Sequence, residues 1–216
     1  NVSINNIEDL ERTIWNIHNN NEFLELVIVE PVMHEQQPGI SLTPEYYRHI
    51  RETTSKLGSL LLVNSVQAGI RCYGHLSIVD FPGFQFFDAP DMEILSKAMT
   101  AGLYPMSTLV LNKKAEKQFH SDMDYSNNAS DPRGLVVATS VLSQIDISLK
   151  MNIINSGAEL KKRLQKLQKK YPKCINHVNG IGLLVSMHLN PQYKSTRVIQ
   201  DFCVHGLNIS YGVGNS

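Results

Sequence analysis

Ser59-Leu60-Leu61-Leu62-Val63-Asn64-Ser65-Val66-Gln67-Ala68-Gly69 marks the architecture most clearly. Its apolar run, Leu60 to Val63, suits a short strand buried on both faces. Upstream, Thr43-Pro44-Glu45 places an N-cap residue before a proline at the first helical position, so a helix opens there. It runs to Lys56-Leu57, where Gly58 is a natural stop. Residues 31–42 hold Pro31, Pro38 and Gly39 and read as a loop. Before that loop, Leu24 to Val29 is a second strand-like run, and Ile7, Leu10, Ile14 and Ile17 recur at helical spacing across residues 5–20. Helix, strand, helix, strand with short links predicts an α/β protein with a parallel sheet covered on both faces. Ligands of such sheets sit beyond the carboxyl ends of the strands. That singles out Glu30-Pro31 and Asn64-Ser65-Val66-Gln67.

Downstream, Met92 to Leu95 predicts a third strand leading into Ser96-Lys97, and Ser107 to Leu111 a fourth after a turn at Gly102 to Pro105. The character changes at Pro132. Helices are expected over 132–150 and 156–171, the second with Leu160, Leu164, Leu167 and Tyr171 along one face and most of its lysines elsewhere. A strand is expected from Ile181 to Leu189, a helix over 195–205 and a last strand from Leu207 to Tyr211. The chain therefore divides into residues 1–130, part of a larger sheet domain, and residues 131–216, helices with a small α+β domain.

Composition excludes several function classes. Formal net charge is zero, which gives no electrostatic basis for binding nucleic acid or an anionic membrane. The lysine-rich stretch 156–171 reads as a solvated helix face. No apolar run reaches the length of a membrane span, and Asn1-Val2-Ser3 begins no signal peptide, so the three glycosylation triplets at Asn1, Asn128 and Asn208 read as chance matches. The missing initiator Met marks an internal fragment or a trimmed chain. Cys72, Cys174 and Cys203 are few, odd in number and far apart, which fits a reducing compartment: intracellular, cytoplasmic or mitochondrial, and not secreted. The histidines are scattered without ligand spacing, so no metal is expected. His34, His75 and His120 fall in loops that approach the expected cleft.

Lys97 is the candidate for chemistry. A lysine in a partly dry cleft at a strand end loses part of its preference for the ammonium form, and a neutral amine attacks aldehydes. Alone, Lys97 reads as a surface lysine. Its surroundings change that. Val29-Glu30-Pro31, then Asn64-Ser65-Val66-Gln67-Ala68-Gly69, Gly74, and Pro90-Asp91-Met92-Glu93-Ile94-Leu95-Ser96-Lys97 follow one another in fixed order. In this order the chain resembles the class III aminotransferases, which depend on pyridoxal phosphate (PLP). Their pattern is a strand ending in Glu-Pro, a strand ending in Asp-Glu-x-Gln-x-Gly, Pro-Asp, and the lysine. Ala101-Gly102-Leu103-Tyr104-Pro105-Met106-Ser107 is most similar to the ornithine aminotransferase branch, and Asn179-Gly180-Ile181-Gly182-Leu183 is similar to the family's Arg-Gly-x-Gly-Leu.

The resemblance covers nearly the whole chain but about the second half of a complete member. It implies the PLP-dependent transferase fold of type I and a homodimer with sites built across the interface. It implies that Lys97 forms the Schiff base and shuttles the proton, that Gln67 meets the cofactor's phenolic oxygen, and that Glu30 sits near the active-site floor on the substrate side. The cofactor positions depart from the pattern. The aspartate that keeps the pyridine nitrogen protonated is Asn64, and the acid after it is Ser65. Gly-Arg-Thr-Gly reads Arg71-Cys72-Tyr73-Gly74, the phosphate-binding threonine falls near Asn127, and the later arginine is Asn179. A carboxylate stabilises the pyridinium that makes the ring an electron sink, and a neutral amide supplies no such charge. Two readings follow: a transaminase moving an amino group from an ornithine-like ω-amino acid to a 2-oxo acid, or a paralogue that kept the fold, lost the reaction, with or without PLP retained, and serves as a binding, scaffold or regulatory protein.

Overall fold

The computed structural model describes residues 2–34, 37–118, 131–193 and 195–209. Helix α1 (Ile7–Asn19) is capped by Asn6, whose side chain accepts the Asp9 N–H. Strand β1 (Leu26–Val29) follows, then α2 (Pro44–Leu57), where the Thr43 hydroxyl accepts the Tyr46 N–H and Gly58 closes the helix at φ 77°. Strands β2 (Leu60–Asn64), β3 (Met92–Ser96) and β4 (Ser107–Leu111) complete a sheet of order β1-β2-β3-β4. A short helix α3 (Lys113–Glu116) leaves β4.

β1, β2 and β3 are parallel, as expected, but β4 runs antiparallel to β3. The link 97–106 explains the reversal. It is a 3-10 turn (Lys97–Thr100) and a Gly-Leu-Tyr-Pro bend, whereas a parallel partner needs a crossover of about a dozen residues or more.

The sheet buries both faces. Leu61 and Val63 pack with Leu10 of α1 and with Tyr46, Tyr47 and Ile50 of α2, joined by Ile78, Phe81 and Phe84. Leu62 points the other way, to Met92 and Ala115, and Leu95 and Met99 meet Ala138. Tyr47 is wholly buried and its hydroxyl donates to the Asp88 carbonyl at 2.9 Å. The outer strands are less covered: Ile28 on β1 and Leu109 and Val110 on β4 face solvent.

The second part departs from expectation at four points. The helices are α4 (Pro132–Leu142) and α5 (Ile147–Lys170), breaking earlier than predicted. Asp146 accepts the Leu149 N–H at 2.7 Å and so starts α5 where neither Pro nor Gly marks a boundary. The buried face of α5 is Ile153 and Gly157, continued by Lys161, which donates to the Gly180 carbonyl, and Gln168, which donates to the Asn176 carbonyl. Leu160, Leu167 and Tyr171, expected on the packed face, are exposed.

Finally, the expected strand 181–189 is the hairpin β5 (Ile175–Ile181) and β6 (Leu184–Leu189). Its first strand hides among Asn176, His177, Asn179 and Gly180. Helix α6 (Ser195–Val204) matches expectation, while Leu207, Asn208 and Ile209 form no strand and the rest of that prediction lies outside the described residues.

Two glycines join the parts. A Cβ on Gly157 would lie 2.1 Å from the Gly182 carbonyl oxygen, and one on Gly182, at φ 56°, would lie 2.1 Å from the Cys72 carbonyl oxygen. The Leu183 N–H donates to the Arg71 carbonyl at 2.9 Å. Backbone thus touches backbone from α5 through the hairpin turn to the segment after β2. Among the described residues no single helix is long and apolar enough to cross a bilayer.

Candidate active site

The three parallel strands end side by side, and each delivers one singled-out position. Val29 pairs with Val63, so Glu30 and Asn64 leave their strands as neighbours. Asn64 in turn pairs with Ile94, three residues before Lys97.

Glu30 and Asn64 are in contact. The Asn64 Nδ2 donates to Glu30 Oε1 at 3.1 Å, Glu30 Oε2 accepts the His34 N–H at 2.8 Å, and Asn64 Oδ1 accepts the Val66 N–H at 3.3 Å. Gln67 Oε1 accepts from Arg71 Nη1 at 2.8 Å, and its Nε2 has no partner among the described residues.

Lys97 has φ 48°, a left-handed conformation that costs an L-residue about 1–2 kcal/mol. Its carbonyl accepts from the Gly102 N–H and the Thr100 hydroxyl, and Thr100 also donates to the Tyr104 carbonyl. The Ser96 hydroxyl donates to the Met106 carbonyl at 2.6 Å. The strain is therefore held in place by the Gly102 to Met106 bend. Lys97 is exposed, not enclosed in the partly dry cleft expected of it.

Asn127 lies outside the described residues, as does His120. Asn179 sits against the Gly39 backbone, and His188 Nε2 is 2.8 Å from the Pro38 carbonyl, so the hairpin docks on the loop that follows Glu30. His75 Nδ1 lies 3.4 Å from Lys150 Nζ, and burial and that ammonium hold the imidazole below its usual pKa. A cavity of about 440 Å³ lies between α1 and β1, with Glu30 and Asn64 among its lining and Leu10, Ile14, Ile17, Val27 and Val29 making it apolar. Lys97 does not line it.

One residue of this region escaped the sequence reading. Glu93 is buried in β3, and its carboxyl accepts from the Ser65 hydroxyl at 2.5 Å, the Ser77 hydroxyl at 2.6 Å and the Ile78 N–H at 3.0 Å. Burial raises its pKa, only partly offset by these bonds. An acid inside the apolar run 92–95 was the available signal. It ties the turn that carries Asn64 and Gln67 to the strand that ends at Lys97.

The Aminotransferase class-III family matches residues 3–215. This chain belongs to that family. The mitochondrial ornithine aminotransferase of Oryza sativa is 27% identical over 179 residues, covering 82% of this chain and 37% of its own length. Among solved structures, the ornithine δ-aminotransferase of Plasmodium falciparum superposes with a TM-score of 0.80 at 23% identity, over 97% of this chain and 53% of its own. The ornithine aminotransferase of Toxoplasma gondii, with PLP at partial occupancy in its active site, gives 0.80 at 20% identity, over 99% and 49%. The fold is that of the type I PLP-dependent enzymes, and the chain spans about half the length of these relatives.

The residues present fit the cofactor in kind. PLP offers an aldehyde, a phenolic oxygen and a ring nitrogen. Near the strand ends, among the described residues, the chain offers a lysine amine without a partner, the Nε2 of Gln67 and the second N–H of Asn64.

Proposed function

We propose that this chain carries the lysine-bearing part of a PLP-dependent transaminase acting on an ornithine-like ω-amino acid and a 2-oxo acid. The observation that supports the reading is that Glu30, Asn64 and Lys97 stand at the carboxyl ends of three adjacent parallel strands in a class-III aminotransferase, with Gln67 in the turn after the middle one. PLP, when bound, supplies the aldehyde and a ring that delocalises electrons. Lys97 is the amine that anchors it and then moves the proton. With PLP bound, Gln67 would donate to its phenolic oxygen, Asn64 would meet its ring nitrogen, Asn127, outside the described residues, would contact its phosphate, and Glu30, bonded to Asn64, would border the substrate.

We further propose residues 1–130 as part of the large domain, residues 131–216 as helices and small domain, and a homodimer, supported by apolar Leu135, Val136 and Ile147 left exposed on α4 and α5. The free cysteines favour a cytoplasmic or mitochondrial setting.

A second reading has its own support: Asn64 in place of the aspartate, and a Lys97 that nothing encloses among the described residues, favour a paralogue that binds without turning over. Adding PLP to the full chain separates the two. Visible absorbance, fixed by borohydride onto the peptide containing Lys97 and absent in Lys97→Ala, supports the transaminase. Full-length protein without absorbance or label refutes it and leaves the binding paralogue.

A further inference from the structure

We infer that Glu93 is a positioning residue for the turn 64–69: through its bond to Ser65 it sets where Asn64 and Gln67 lie relative to the strand that ends at Lys97. This deepens the reading of Lys97 and PLP given above and rests on it wherever the cofactor enters.

Ser65 stands between Asn64 and Gln67 and is 1% exposed, so what holds Ser65 sets the place of both. Each of its polar groups is used. Its carbonyl accepts the Gly69 N–H at 2.8 Å and closes the turn. Its N–H donates to the Ile94 carbonyl at 3.0 Å, and its hydroxyl donates to the Glu93 carboxyl at 2.5 Å. Two of the three bonds therefore land on β3. The backbone bond survives a change of side chain, and the hydroxyl bond does not. The class-III pattern carries an acid at the position of Ser65, whereas here the acid that meets this turn comes from the neighbouring strand.

The same carboxyl holds the far end of the loop. Ser77, which caps the turn Ile78–Asp80, donates to Oε2 at 2.6 Å, and the Ile78 N–H donates to Oε1 at 3.0 Å. Glu93 is 6% exposed, so water does not readily replace it, and a buried donor left without an acceptor costs its desolvation. Ser65 and Ser77 thus make an internal control. Both hydroxyls rest on one carboxyl at nearly equal distances, and only the first adjoins the residues proposed to meet the cofactor.

The test compares Ser65→Ala, Ser77→Ala and Glu93→Gln in the full chain. A structural anchor and nothing more would lower the urea midpoint in all three without separating the two serines. Without PLP, hydrogen exchange at the Gly69 amide should quicken by about tenfold in Ser65→Ala and Glu93→Gln, the effect of one lost hydrogen bond, and keep the wild-type rate in Ser77→Ala. With PLP, the visible band should move in the first two variants and stay in place in Ser77→Ala. Equal responses from the two serine variants, or none from Ser65→Ala, overturn the inference and leave the Lys97 reading intact. A wild-type chain that binds no PLP overturns the Lys97 reading, and exchange at Gly69 then decides alone whether Glu93 holds the turn. Should Glu93→Gln not fold, the two serine variants decide.

Discussion

Asp91, the acid of the Pro-Asp pair before Lys97, is predicted to be worth more to stability than any other single carboxylate of the sheet. It is 2% exposed and its partner Arg51 7%. Oδ2 accepts from Arg51 Nη1 at 2.7 Å and from the Leu61 N–H at 2.9 Å, and Oδ1 accepts from Asn112 Nδ2 at 2.8 Å. One carboxylate thus joins α2, the first turn of β2 and the exit of β4. Asp91→Ala strands a buried guanidinium and two further donors. Removing one partner of a buried pair costs about 3–5 kcal/mol, a large part of the roughly 5–15 kcal/mol that holds a domain together. The bonds share one acceptor and do not add, so about 4 kcal/mol is the expectation.

The assay is urea unfolding followed by far-ultraviolet circular dichroism, with the midpoint shift read at constant slope. Linkage gives a second check. Burial alone would raise the Asp91 pKa, but the Arg51, Leu61 and Asn112 bonds outweigh it and hold the carboxyl below its ordinary 3.8. A depressed folded pKa contributes stability that is complete above the unfolded value and is lost as pH falls through the folded one. The gap between wild type and Asp91→Ala should therefore be full at pH 7 and narrow below about pH 3.8. A cost under about 1 kcal/mol, or a gap that ignores acid, would refute the reasoning.

Gly157→Ala should cost at least the upper end of about 1–3 kcal/mol, because its Cβ would lie 2.1 Å from a carbonyl oxygen fixed by a hairpin. An unchanged melting temperature would sink that account. Glu93 is raised by burial, so its folded state binds more protons than the unfolded chain between the ordinary 4.5 and the folded pKa, and its contribution improves as pH falls through that window. Glu93→Gln should remove this acid gain, visible as a stability difference between the two proteins that changes from pH 7 to pH 5. His177 is lowered, first by burial and then by the His188 ring stacked at 3.9 Å, so its contribution is full above the unfolded 6.5 and is lost as pH falls below it and through the folded value. His177→Phe should stay flat where the wild type weakens below that pH, and parallel curves would count against the stacked pair as its source.

Fold elements were legible wherever local chemistry marks a boundary. Thr43-Pro44 and Gly58 bracket α2 on sight, and Leu60 to Val63 announces β2. What could not be read was decided by tertiary partners. β5 carries Asn, His and Gly between its buried Ile175 and Val178 because the Asn176 and Gly180 carbonyls are taken by Gln168 and Lys161 and Gly180 lies against facing backbone. The direction of β4 follows from a link length, and the α4–α5 break from one cap. At the candidate site, motif order pointed to Glu30, Asn64 and Lys97, which leave β1, β2 and β3, because residue order along parallel strands maps onto position along the sheet edge. Orientation was another matter. Which way Asn64 points depends on Glu30, 34 residues away in sequence. Glu93 went unread because periodicity cannot tell a buried acid with three donors from an error in the pattern.

Cys72 carries a consequence of the contact between the parts. Its thiol is wholly buried, its carbonyl lies under Gly182, and burial pushes its pKa up to about 12. Reagents that modify cysteine need the thiolate and access to it. Cys174 and Cys203 sit nearer solvent and should be consumed first. The slow remainder is Cys72, and it reacts at the pace at which the hairpin turn lifts from the segment after β2. A single sulfur thus works as a stopwatch for breathing between the hairpin turn and the segment after β2, readable in an unlabelled, unmutated protein.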